Sequence, residues 1–180
     1  MILANAGVPM LPVQWMFMVV ALLPIILIEA VVVWRKHAVG FKRSLERSLG
    51  GSAAANVIST LSGVPLSWGL MFLIMLAGYL IDDALSIKWD SPAVMVAYVV
   101  LNAAWLAPHE THLNWMIPMA LAILMIPSYF LSVWIEYMVC KRIWKEMNRK
   151  EVWNTMRVAN GVTYGILILI CVGLMLMSLK

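Results

Sequence analysis

The sequence predicts an all-α polytopic membrane protein: four transmembrane helices as two parallel-related hairpins, plus a re-entrant or interfacial helix in the outer loop. Three observations carry this reading. Of 180 residues, 63% are hydrophobic and 12% charged, with a mean hydropathy of +0.90. Soluble domains are closer to half apolar and a quarter charged. Four apolar stretches, 14–34, 55–80, 115–138 and 158–179, are each long enough to cross a ~30 Å hydrocarbon core as a helix. Eleven of the thirteen Lys and Arg fall in two windows, 35–47 and 141–157.

The first span, 14–34, ends in the first basic window, and the third, 115–138, ends in the second. Under the positive-inside rule both windows face the cytoplasm, which places both termini outside. This arrangement suits a bacterial inner membrane. The N-terminal "MILANAGVPML" has no positive n-region, so it is expected to be retained. Within the first window, "FKRSLERSLG" puts Phe41, Leu45 and Leu49 on one face. It reads either as an interfacial amphipathic helix ended by Gly50 and Gly51 or as a solvated connecting turn.

The second span, 55–80, returns outward and contains "SGVPL", where Pro65 should kink the helix. An outer loop, 81–114, follows, with Asp82, Asp83, Asp90 and Glu110 against Lys88. Its piece 91–108 is uncharged but has an apolar centre of only 14 residues, Val94 to Ala107. Were it to cross, the second basic window would move outside, so it is read as re-entrant or interfacial. Val94, Tyr98, Leu101 and Trp105 would share an apolar face needing cover from lipid or a partner. Trp15, Trp34, Trp89, Trp115 and Trp144 fall near span ends, as an aromatic belt requires.

The two halves share a pattern. Each reads I-E-x-x-V-x-x-R, a basic window, then A-N-x-x-[ST]. Glu29 thus corresponds to Glu136, Arg35 to Arg142, Asn56 to Asn160 and Ser59 to Thr163. Both halves run in the same direction, so residues 14–80 and 115–179 read as a parallel repeat within one membrane domain. The prolines do not align between the copies. Each Glu lies about 1.5 turns before its Arg, so it can pair with that Arg by snorkelling or accept hydrogen bonds from the Asn of its own hairpin. The leading reading is two polar clasps, each closing one hairpin; the other is a proton or cation site. Ala55, Ser59 and Gly63 on one helix and Gly161 and Gly165 on another form small-residue faces for close packing, within the chain or between subunits.

Little else suggests chemistry. His109 and His112 in "PHETHLNW" could share a face and bind zinc or copper weakly, but no third ligand is evident. Cys140 and Cys171 read as small core residues, and the 15 methionines as flexible packing. No phosphate loop or nucleophile–base grouping is found, and the basic clusters are topology signals, not nucleic-acid patches.

"LPIILIEAVVVWRKHAVGFKR", "AANVISTLSGVP" and "RVANGVTYGILILI" resemble, over about three-quarters of the chain, the pattern of the FraC-like family of filament-integrity membrane proteins of cyanobacterial septa. The resemblance implies a non-enzymatic protein of an envelope assembly. The expectation is a non-catalytic inner-membrane protein without a cofactor, in contact with membrane lipids. It would serve as a structural or accessory subunit, with copies of itself or other membrane subunits as partners. The alternative is a small oligomeric transporter or channel using Glu29 and Glu136.

Overall fold

Within a bilayer an apolar chain must satisfy its own backbone N–H and C=O groups, and helices do so within one segment. The computed structural model describes residues 7–37, 45–85, 92–106 and 112–179. Its elements in order are β1 (Val8–Pro9), α1 (Met10–His37), α2 (Leu45–Leu85), α3 (Pro92–Leu101), β2 (Trp105–Leu106), α4 (Leu113–Ile143) and α5 (Arg149–Ser178). Met10–Lys36, Leu45–Tyr79, Leu113–Ile143 and Arg149–Ser178 are long and apolar enough to cross a membrane. By contrast the ten-residue α3 is about 15 Å long, half of what a crossing needs.

Buried positions on α2 recur at Ser48, Ser52, Ala55, Asn56, Ser59, Gly63, Ser67 and Met71. On α5 they recur at Val152, Met156, Ala159, Asn160, Thr163, Leu167 and Cys171. Both are steps of three and four, the seam that packs helices at small crossing angles. α1 lies against α2, α4 against α5, and α2 against α4. The second helix pair turns tightly. The Trp144 N–H bonds Cys140 O at 2.7 Å, and Asn148 caps α5 by accepting from the Lys150 N–H at 3.2 Å.

Three expectations are corrected. No helix ends at Gly50–Gly51: α2 starts at Leu45 and runs through both, residues 41–44 lying outside the described set. Gly51 is there for packing, because a Cβ on it would lie 2.5 Å from the Trp144 ring. The expected face of Val94, Tyr98, Leu101 and Trp105 does not form either. α3 stops at Leu101, and Trp105 pairs with Pro9 in a two-stranded antiparallel ribbon. Part of the segment's cover comes from the chain itself, not from lipid or a partner: Val99, Ala103, Ala104 and Leu106 are fully buried in one cluster with Met10, Met116 and Ala120.

Trp68 Nε1 and the Met10 N–H both donate to Ala104 O, at 2.8 and 3.0 Å, fastening that segment over one end of the bundle. Gly7 precedes the ribbon with φ 74°, and a Cβ there would strike the Trp105 ring at 2.5 Å. This position requires glycine. Helix α2 continues through Pro65, whose missing N–H leaves one turn of the ladder a bond short.

Candidate functional site

Glu29 and Glu136 come together in the interior. Each is 1% exposed, and donors from the same two helices, α2 and α5, hold the two carboxyl groups side by side. They lie on different helix pairs, Glu29 on α1 and Glu136 on α4. An Asn and a hydroxyl at i and i+3 on a helix point about 60° apart, so they can reach different neighbours. That divergence is used twice. Asn56 on α2 donates to Glu29 Oε2 at 2.6 Å, while Ser59 on the same helix donates to Glu136 Oε1 at 2.8 Å. Asn160 on α5 donates to Glu136 Oε2 at 2.5 Å, while Thr163 donates to Glu29 Oε1 at 2.9 Å. Each carboxyl group takes its amide from its own helix pair and its hydroxyl from the other.

The supporting bonds repeat as well. Asn56 Nδ2 also donates to Ser52 O at 3.0 Å, and Asn160 Nδ2 to Met156 O at 3.1 Å. Ser59 and Thr163 each donate to the carbonyl of the Asn one turn before, both at 3.1 Å. A carbonyl one turn back thus holds each amide with its N–H side toward the carboxyl group.

Neither arginine joins the cluster. Arg35 is exposed at the end of α1, and Arg142 turns back to Met138 O at 3.0 Å. The carboxyl groups lie about 10 Å inside the helix ends, and amides on packed neighbours are nearer than any guanidinium. Ala55 is fully buried beside Cys140, and Gly63 faces Ile135 at 3.6 Å, inside the bundle. Gly161 and Gly165 have open space where a Cβ would be, so they face away from the rest of the chain. His112 caps α4 with its ring edge-on to Trp115, and His109 lies outside the described residues. Among the described residues no group of three His, Cys, Asp or Glu is placed to hold a metal ion.

Sequence reading missed a second polar group further along the bundle. Gln14 Nε2 donates to Ser128 Oγ at 2.9 Å, and Ser128 Oγ bonds Ser67 Oγ at 2.8 Å, joining α1, α4 and α2. Between the two groups, Ser132 Oγ and Tyr164 OH share a hydrogen bond of 2.8 Å. Ser128, Ser132 and Glu136 at i, i+4 and i+8 are the signal that was available: one polar row on an otherwise apolar helix.

Comparison of the chain with protein-family models, curated proteins and solved structures found no match.

Proposed function

We propose that this is a non-catalytic integral membrane protein, a structural or accessory subunit of a larger membrane or envelope complex. One observation carries the reading: all four oxygens of the intramembrane carboxyl pair accept hydrogen bonds from buried side chains, and those bonds join the two helix pairs. Polar groups committed in this way hold helices together in lipid. The exposed surface is left to Met16, Val20, Phe130, Leu169 and Met177, apolar side chains suited to lipid or to a neighbouring membrane subunit. With the basic windows cytoplasmic, both termini lie outside, the arrangement of a bacterial inner-membrane protein. A FraC-like membership would agree with such a role.

Purification in mild detergent with mass detection tests this reading, the expected result being a stable assembly larger than one chain. A monomeric particle that moves a solute in liposomes would overturn it. That outcome would promote a small transporter or channel, which the row of Ser128, Ser132 and Glu136 favours. Orientation is tested by a single cysteine in place of Asn148, which should resist an impermeant thiol reagent in intact cells.

A further inference from the structure

Two ionised carboxylates in contact, out of water, repel each other and have lost their hydration. Something must remove one of the two charges. Basic side chains do not do so among the described residues. On α1, Arg35 and Lys36 are exposed at the helix end. On α2 the cluster faces Asn56 and Ser59, and the nearest charge, Arg47, meets Glu146 at 3.8 Å on the surface. On α4, Lys141 and Arg142 both turn to Met138, and Cys140 is buried one turn beyond Glu136. On α5, Arg157 is exposed, and Tyr164 is buried with its hydroxyl on Ser132. Among the described residues no basic side chain faces the pair.

A metal ion fits poorly. Hard cations need oxygen lone pairs converging on them. Here Asn56 and Asn160 present N–H groups, their orientation fixed by Ser52 O and Met156 O. A proton needs no such shell, only a second acceptor nearby, and the crossed donors hold the two carboxyl groups side by side.

We infer that Glu29 and Glu136 bind a single proton between them, and that its release weakens the contact between α1/α2 and α4/α5. The inference rests on the structural reading of the cluster given above. Glutamates of the unfolded chain are ionised near neutral pH. The folded protein therefore holds a proton that the unfolded chain has released, and its stability falls as pH rises.

Infrared spectroscopy of the protein in lipid nanodiscs, with labelled glutamate, reads this directly. The wild type should show one protonated-carboxyl band at neutral pH that disappears in alkaline buffer. Glu29→Gln and Glu136→Gln should each lack it, because the new amide donates to the remaining carboxylate and no proton is needed. Wild-type melting should fall from about pH 7 to about pH 10 by roughly 3–6 °C for each tenfold weakening of folding, and the Gln variants should show much less of that fall. Absence of the band from the wild type, or its survival in either Gln variant, would overturn the shared proton. So would a melting temperature that depends on sodium or potassium concentration at fixed pH and ionic strength. The structural reading fails separately, if Glu29→Leu/Glu136→Leu melts and accumulates like the wild type.

Discussion

The pair α1/α2 and the pair α4/α5 agree closely at one end of the bundle and diverge at the other. Near the basic windows the match is residue for residue: Glu29 with Glu136, Asn56 with Asn160, Ser59 with Thr163, and buried Val33 with buried Cys140. Towards α3 the counterpart of Gln14 is Leu121, and that of Ser67 is Cys171. The connections differ too. Residues 144–148 make a tight turn whose Trp144 lies on Gly51, and the residue corresponding to Gly51 is Thr155. Positions that bond the carboxyl pair carry the same or a like side chain in both halves, whereas the Gln14–Ser128–Ser67 group further along has no matching polar group. Each half supplies the other with one hydroxyl donor, Ser59 to Glu136 and Thr163 to Glu29.

The comparison can be broken most forcefully at the carboxyl pair. Replacing both glutamates by leucine leaves two amides and two hydroxyls with only their local carbonyl contacts. Membrane hydrogen bonds average about 0.6 kcal/mol, and stranded buried groups cost about 1–3 kcal/mol each. The double Leu variant should therefore lose several kcal/mol and most of its membrane abundance, read by immunoblot and thermal melting. Single Glu→Gln changes should lower abundance only slightly at neutral pH.

Next in size is Gly51→Ala, where the new methyl meets the Trp144 ring and should cost about 1–3 kcal/mol in melting. Gly161→Ala should be neutral or slightly stabilising in the isolated chain, since nothing stands near it. A clear loss at Gly161 would mean that another subunit packs there. Asn56→Ala and Asn160→Ala sharpen the symmetry itself. Each should cost about 1 kcal/mol, and the two should agree within measurement error. A large inequality would mean that the halves are not energetically equivalent. A small effect is also expected from Gln14→Leu. Gln14 Oε1 has no donor among the described residues, and Ser67 and Ser128 keep each other when Gln14 is removed.

Much of the fold was legible because hydropathy and charge act over whole segments. Four helices are apolar enough to cross, and Lys and Arg punctuate them. The repeated Glu, Asn and hydroxyl marked the residues that cluster, but not which partners they would choose. A hairpin read alone suggests that each Asn and hydroxyl serves its own Glu. Only packing of the two halves shows that the hydroxyls cross over and that the carboxyl groups meet. Gly51 was illegible for a similar reason: glycine is a common helix stop, and its role under Trp144 depends on a residue 93 positions away (144 − 51). Trp105 likewise falls on a helical period with Tyr98, yet pairing with Pro9 draws it into a ribbon.

The crossed hydroxyls also set a clock on the protein's birth. Glu29 receives Asn56 as soon as α2 is made, but its second donor is Thr163, 134 residues after Glu29 itself. Ser59 must likewise await Glu136, 77 residues later. At about 5–20 residues per second, the first half spends several seconds in the membrane with its carboxylate only half satisfied. During those seconds an insertase can shelter the half-made chain or a membrane protease can recognise it. A chain truncated before α5 carries that mark permanently.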